Sequence, residues 1–375
     1  MTEARTLPKL RLVGSVDAGL FSLPMEEWQR RAWGKQGVAT GNEAAGELVV
    51  GMDWVLSPSL ARALATTPGA ALVAADGRLA AVHVPTGGNV TAVGAMIEDD
   101  AADEDALRQL GLAPGTALDL AGTYNQALRK KEMPYALSMH TTAPRDIEKR
   151  LFAGSYKGAT DLVTKYVWPL PALHVTRACA ALGISPNMVT TVSLILVFVA
   201  MWCFAEGWWI AGFLSGWLMT FLDTVDGKLA RTTMTYSKWG NVYDHGIDLI
   251  HPPFWYWTWY IGLVATMDVV PTWLWPAFLI IVIGYVAGRL LEGLFMWRNG
   301  IEGHIWKPID SFVREIIARR NPNMLIFMVL TLMGRPDIGF GLVAVWTILS
   351  TVFQVVRLAQ SFTLPKAAVT SWMDA

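Results

Sequence analysis

Beyond Lys165 and Arg177, charged residues almost vanish from stretches about as long as the roughly 30 Å of hydrocarbon in a bilayer requires. No other feature constrains this chain so strongly, because backbone crossing lipid must satisfy its own polar groups and therefore be helical or barrel-like. Six such spans are expected, at 187–206, 208–226, 243–266, 269–291, 322–335 and 337–357. The fifth is the weakest, its strongly apolar part being confined to residues 324–333. Composition agrees: 53% hydrophobic residues and 18 Trp in 375 residues are too apolar for an ordinary soluble enzyme.

Loop charges set an orientation, since Lys and Arg gather on the cytoplasmic side. Arg177 precedes the first span, while Lys228, Arg231 and Lys238 lie between the second and third. Arg298, Lys307, Arg314, Arg319 and Arg320 lie between the fourth and fifth, and Lys366 follows the sixth. The opposite loops, near Glu206, Asp268 and residues 335–337, are short and nearly free of basic residues. Both termini are thereby expected in the cytoplasm, in what reads as a bacterial inner membrane. Trp208, Trp209, Trp273 and Trp275 fall near span ends, where amphipathic rings favour the interface. Residues 307–320 place Ile309, Phe312, Val313, Ile316 and Ile317 at helical spacing, as in a helix lying on a membrane surface or packed against the protein.

The first 150 residues read differently. Charge is evenly spread and apolar runs are short, as at residues 47–53 and 70–75, which suits buried strands of a soluble α/β domain. Ser57-Pro58 marks a helix start, with Ser57 as N-cap and Pro58 at the first helical position. The acidic run at 98–105 is expected to be a solvated loop and first helical turn rather than a metal site. The opening Met1-Thr-Glu-Ala-Arg5 has no basic region leading into an apolar one, so no cleaved signal is expected. A net charge of −1 argues against nucleic-acid binding, and Cys179 and Cys203 have neither disulfide nor zinc spacing.

The chemistry-bearing segment is Phe221-Leu-Asp223-Thr-Val-Asp226-Gly227-Lys-Leu-Ala230-Arg231, continued by Gly240-Asn-Val-Tyr-Asp244-His-Gly-Ile-Asp248. Asp223 and Asp226 are three apart and Asp244 and Asp248 four apart, so each pair shares a helix face. If the two helices are neighbours, all four carboxylates converge. They would be costly at the edge of hydrocarbon without compensating cations. Hard oxygen-seeking ions such as Mg²⁺ or Mn²⁺, one or two of them, fit best and would suit phosphoryl-group transfer. Gly227 and Gly240 would admit close backbone approach, Ala230 would leave room for a base or ribose, and Arg231 could pair with phosphate. Taken alone, Arg231 would instead read as a positive-inside anchor.

The spacing D-x2-D-G-x2-A-R-x8-G-x3-D-x3-D resembles the signature of the CDP-alcohol phosphotransferase family, with every fixed position present. The resemblance covers roughly residues 150–360, and Pro186-Asn187 opening the first span is similar to that family's way into the membrane. It implies a metal site at Asp223, Asp226, Asp244 and Asp248, with Asp248 also the catalytic base. It implies CDP contacts from Gly227, Ala230, Arg231 and Gly240. His245 is an alternative base that the family pattern does not require. The implied reaction moves a substituted phosphate, expected to be phosphatidyl from CDP-diacylglycerol, to an alcohol or alcohol phosphate and releases CMP. The reverse use, a CDP-linked headgroup given to a lipid alcohol, shares the motif. A homodimer is expected from the resemblance alone.

Two other classes fit less well. An isoprenoid-diphosphate transferase would lack the Gly227, Ala230, Arg231 element, and a cation transporter would need acids near the bilayer midplane rather than at one end. Arg289, inside the fourth span, is a candidate acceptor contact, against the alternative of pairing with Glu292 or snorkelling to the nearby cytoplasmic interface.

The first 150 residues loosely resemble the nucleotidyltransferase-like domain of bifunctional inositol-phosphate enzymes, followed by a junction and juxtamembrane helix over 151–186. Residues 12–24 lack that domain's Gly-rich basic loop, although Asp53 sits where a metal-binding Asp would be. An inactive domain is therefore expected. Trp168-Pro-Leu-Pro171 also replaces the polar, basic residues of those enzymes, which weighs against an inositol-phosphate acceptor. The membrane domain is expected over 187–360, with a cytoplasmic tail at 361–375.

Overall fold

The computed structural model describes residues 8–38, 46–100, 102–125 and 130–373. The N-terminal pentapeptide read for a signal lies outside the described residues. The chain divides into two compact units. One comprises Met1–Tyr156, Ala180–Gly183 and Leu229–Thr235, and the other Lys157–Cys179, Ile184–Lys228 and Tyr236–Ala375.

The first unit is α/β. Its strands are β1 (Lys9–Val13), a small hairpin of β2 (Gly19–Leu20) and β3 (Leu23–Pro24), β4 (Glu47–Gly51), β5 (Trp54–Leu56), β6 (Ala70–Val73), β7 (Leu79–Val84), β8 (Ala113–Gly115), β9 (Tyr124–Asn125), β10 (Lys130–Lys131) and β11 (Ala136–Ser138). A mixed five-stranded sheet runs in the order β1-β4-β7-β6-β8. Its two outer pairings are parallel and its two inner pairings antiparallel. The apolar runs at 47–51 and 70–73 form strands because both their faces are covered. Helices α1 (Met25–Lys35), α2 (Pro58–Thr66), α3 (Val90–Glu98), α4 (Glu104–Gln109), α5 (Ala117–Leu120) and α6 (Pro144–Gly154) complete the unit. Leu60 and Leu64 of α2 join Leu48, Val50 and Leu72 in one cluster, while Val93 and Ile97 of α3 join Val49 and Val82 in another.

The acidic run does link the end of α3 to the first turn of α4, where Asp103 caps the amides of Asp105 and Ala106. Ser57 is the N-cap of α2 and Pro58 its first residue, but the Ser57 hydroxyl makes no capping bond. It accepts from the Tyr135 amide at 3.3 Å instead, tying α2 to the strand Ala136–Ser138 that pairs with β5.

The second unit is helical: α7 (Leu162–Tyr166), α8 (Pro169–Ala181), α9 (Pro186–Ala205), α10 (Trp209–Thr232), α11 (Lys238–Thr266), α12 (Leu274–Asn299), α13 (Pro308–Ile316), α14 (Arg320–Leu332) and α15 (Pro336–Phe362). Each expected span overlaps a helix, although α12 begins only at Leu274 and runs on to Asn299, beyond the fourth span expected at 269–291. Among the described residues three of these, α9, α12 and α15, are long and apolar enough to cross a membrane. In the weak fifth position α14 has only 13 residues. α9 packs on α11, and α15 packs on both α12 and α14. Their core is aromatic: Phe204, Phe213, Trp255, Trp259, Phe327 and Phe340 are fully or almost fully buried, with Trp259 and Phe327 stacked at 4.5 Å. Both cysteines are buried free thiols.

The surface helix expected at 307–320 is shorter, α13, and it ends at Ile316, with Ile317 as its C-cap, because the chain turns into α14. Ile309 and Phe312 are exposed, whereas Asp310 is buried in a two-pronged pair with Arg357. The helix therefore has both an apolar exposed face and a packed one.

Candidate active site

Asp223 and Asp226 stand near the C-terminal end of α10, and Asp244 and Asp248 near the start of α11. The Gly240 amide donates to the Ser237 side chain that caps α11, at 2.9 Å. A Cβ on Gly240 would lie 3.1 Å from both Ser237 Oγ and Asn187 Oδ1, so glycine there keeps the opening of α9 close to α11.

Single carboxylate oxygens of Asp223, Asp244 and Asp248 lie within 4.8 Å of one another. Asp226 faces the same group, with electrostatic interactions to all three, but its carboxylate is turned toward α9. Thr190 donates to Asp226 Oδ2 at 2.5 Å while also donating to the Pro186 carbonyl at 3.1 Å. The expectation of four converging carboxylates is thus met as three close together and a fourth held behind them. Spacing alone could not separate Asp226 from Asp223, because the distinction depends on a hydroxyl from another helix.

Asp226 is almost fully buried, and its Oδ1 has no hydrogen-bond partner. A buried carboxylate oxygen left unbonded is expensive, and three further carboxylates beside it add repulsion. The donor set is all oxygen and strongly anionic, which fits Mg²⁺ or Mn²⁺. Asp223, Asp244 and Asp248 would hold such an ion, with Asp226 completing the set.

Sequence reasoning missed Arg320. From the first turn of α14 its Nη2 donates to Asp223 Oδ2 at 2.8 Å, and its Nη1 pairs with Asp248. One planar fork therefore bridges α10 and α11. Position 320 had been read only as a positive-inside charge; nothing local marks it, since its partners lie 72 and 97 residues away. His245, the alternative base, has Nδ1 3.3 Å from Asp244 and is largely exposed.

Two prolines shape the backbone beside Asp248. Pro252 and Pro253 lie inside α11 and lack the amides that would bond the carbonyls of Asp248 and Leu249. The Tyr285 hydroxyl from α12 donates to the Leu249 carbonyl at 2.9 Å, with the Asp248 carbonyl at 3.4 Å. His251 Nδ1 lies 2.7 Å from the Ile247 carbonyl. The carbonyls freed by proline are thus met from a neighbouring helix.

Arg289 pairs with Glu292 at 3.0 Å, as the alternative reading held, and Arg319 pairs with the same carboxylate. Arg314, on α13, lines a cavity with Glu292, His304, Asp310, Gln354 and Arg357. Its Nε is buried with no hydrogen-bond partner, as are those of Arg289 and Arg319. Burial first, then Arg319, pushes the Arg314 guanidinium down to about 9. Three arginines thus surround Glu292 with an excess of positive charge.

The remaining residues are plainly placed. Trp168, which stands where basic residues were looked for, packs edge-on against Phe221 at 5.2 Å and Trp217 at 6.2 Å, bracing α10 one turn before Asp223. Ala230 and Arg231 fall in the last turn of α10, which clusters with the first unit, and Gly227 precedes them on that helix. Asp53 is buried and accepts from Ser138 Oγ at 2.5 Å, with Arg78 at 3.8 Å.

Residues 183–356 match a family model described as CDP-alcohol phosphatidyltransferase. An archaetidylinositol phosphate synthase of Pyrococcus horikoshii is 34% identical over 79 residues, 21% of this chain and 42% of that protein. A phosphatidylinositol phosphate synthase of Cutibacterium acnes is 36% identical over 85 residues, 22% of this chain and 40% of that protein. The chain thus spans about two fifths of the length of the curated relatives it matches. The apo crystal structure of the Mycobacterium tuberculosis phosphatidylinositol phosphate synthase aligns with a TM-score of 0.40 and 18% identity, over 50% of this chain and 95% of that one.

Proposed function

From the match of residues 183–356 to the CDP-alcohol phosphatidyltransferase family, we propose that this chain transfers a phosphatidyl group from CDP-diacylglycerol to the hydroxyl of a small polar alcohol or its phosphate, releasing CMP in membrane phospholipid synthesis. The observation that carries the reading is the convergence of Asp223, Asp244 and Asp248, each at its motif position, backed by Asp226.

In the transfer, the acceptor oxygen bonds to the phosphatidyl phosphorus, the bond from that phosphorus to CMP breaks, and CMP departs with the bonding pair. Asp248 takes the acceptor's proton, the role for which it lies free of the Thr190 bond that occupies Asp226. A divalent ion held by the four carboxylates would neutralise charge on the diphosphate and its leaving group. Gly227, Ala230, Arg231 and Gly240 contact the CDP portion. The soluble unit at residues 1–150 takes no catalytic part: Asp53 is committed to Ser138, and residues 12–24 carry no basic phosphate loop.

α9, α10, α11, α12, α14 and α15 form six spans, with both termini and the carboxylates on the cytoplasmic side, as the basic loops favour. The short α14 crosses packed against the longer α15. There a lipid donor and a water-borne acceptor meet. The acceptor carries a phosphate of its own: Arg289, Arg314 and Arg319 outnumber Glu292, and relatives are named for making inositol phosphate lipids.

The test is CMP release by the detergent-purified chain with Mg²⁺ and CDP-diacylglycerol, across a panel of alcohols and alcohol phosphates. Release that depends on one phosphorylated acceptor supports the reading. Release only with a CDP-linked headgroup and diacylglycerol would replace it with the reverse transfer.

A further inference from the structure

We infer that Arg320 is the resident counter-cation of the carboxylate cluster, and that a divalent ion binds there by competing with it and turning the guanidinium aside. The inference rests on reading Asp223, Asp226, Asp244 and Asp248 as a divalent-cation site.

Arg320 is largely buried, its side chain 13% exposed, so its charge is not idle surface charge. Its two terminal nitrogens are divided between Asp223 and Asp248, which come from different helices and belong to the group of three that closes within 4.8 Å. A planar fork bridges two carboxylates in this way with donors held in fixed geometry, whereas a lysine ammonium is a point charge on a flexible stem. This bridge offsets repulsion among acids that would otherwise splay α10 from α11.

The same bridge obstructs an ion. Mg²⁺ binds oxygens at about 2.1 Å in near-octahedral geometry, so it needs lone pairs of Asp223 and Asp248, and Arg320 now holds one oxygen of each. Two cations sharing one pair of carboxylates also repel strongly where water is scarce. The guanidinium has somewhere to go. Its Nε already lies 3.4 Å from Asn321 Oδ1, and Asn321 is anchored by Nδ2 to Asp161 at 2.9 Å. A short swing toward Asn321 and Asp161 keeps Arg320 beside a carboxylate while freeing Asp223 and Asp248.

The rival arrangement is a clamp: Arg320 stays on the outer lone pairs and orients the carboxylates around the ion. The two make opposite predictions, since removing an orienting partner weakens metal affinity, while removing a competitor strengthens it.

The experiment titrates the purified full chain with Mn²⁺ alone, reading free ion by electron paramagnetic resonance, with no nucleotide or lipid substrate added. Arg320→Gln should bind Mn²⁺ about tenfold more tightly than wild type, an ordinary size for coupling between linked sites. Arg320→Lys should fall between the two. Affinity in Arg320→Gln equal to or weaker than wild type overturns the inference. If that variant does not fold, Arg320→Lys decides alone: tighter binding supports competition, and equal or weaker binding overturns it. Failure of the underlying reading looks different. Neither wild type nor variants would then take up Mn²⁺, and Asp226→Asn would change nothing.

Discussion

Tyr285 donates its hydroxyl proton to the carbonyl of Leu249, one of two carbonyls of α11 that consecutive prolines leave without helical donors. This contact joins α12 to the backbone immediately after Asp248, so it fixes where that carboxylate sits. Tyr285→Phe should cost about 1 kcal/mol of stability, the usual net value of one hydrogen bond. It should also lower the CMP release rate several-fold more than it raises the KM for donor. The diagnostic comparison is a double-mutant cycle with Pro253→Ala, which returns an amide donor to the same carbonyl. The Tyr285→Phe penalty should shrink in that background; a penalty of unchanged size would assign Tyr285 a role unrelated to the freed carbonyl.

Much of this was legible in the sequence. The helices found at the expected spans follow from hydropathy, and the start of α2 follows from Ser57-Pro58, both of which depend on near neighbours in the chain. The carboxylates were found because their spacing puts each pair on one face of a helix and repulsion demands a counter-charge. Arg320, Tyr285 and Thr190 were not found. Each acts across helices, on partners 36 to 97 residues away, and its meaning lies in a side-chain direction that no periodicity encodes. The proline pair at 252 and 253 was a visible signal left unread: two missing amides just after Asp248 imply that another helix must supply donors. Length set a further limit, since α14 forms a helix in the weak fifth position yet falls short of a full crossing by itself.

Asp226 and Thr190 form the rear of the site. Thr190→Val removes the donor to Oδ2 and leaves both oxygens of a buried carboxylate unbonded, given that Oδ1 has no partner. Without divalent ion the variant should lose about 1 to 3 kcal/mol of stability, the cost of a stranded buried polar group. Added Mn²⁺ should restore part of that loss, because it compensates the same charge. Thermal melts with and without Mn²⁺ measure both quantities, and a loss that Mn²⁺ leaves untouched would remove Asp226 from the ion's surroundings.

Asp248 and His245 can be separated by activity. Asp248→Asn should lower CMP release by about 10² to 10⁴, the range for a general base, and more if metal binding also suffers. His245→Gln should lower it by less than about tenfold, because His245 is largely exposed and its contact is to Asp244. The reverse ranking, read from kcat for the two variants under saturating Mg²⁺, would move the proton-accepting role to the histidine.

Asp161 supplies a pH dependence that lies outside the spans. Burial pushes its carboxyl upward, but donation from Asn321 at 2.9 Å and from the Thr164 amide and hydroxyl at 3.1 and 2.7 Å outweighs that and holds it below the ordinary value of 3.8. A carboxylate depressed on folding contributes stability that is present above its unfolded pKa and lost as pH falls through the folded one. Wild type should therefore lose this contribution only below about pH 4, the unfolded carboxylate range. Asp161→Asn, which keeps the shape but not the charge, should be less stable at pH 7 and should approach wild type as pH is lowered toward 3. Melting temperatures of both proteins in detergent across pH 3 to 7 provide the measurement. Parallel curves would mean that Asp161 is uncoupled from Asn321, and so from the turn that presents Arg320 to the carboxylates.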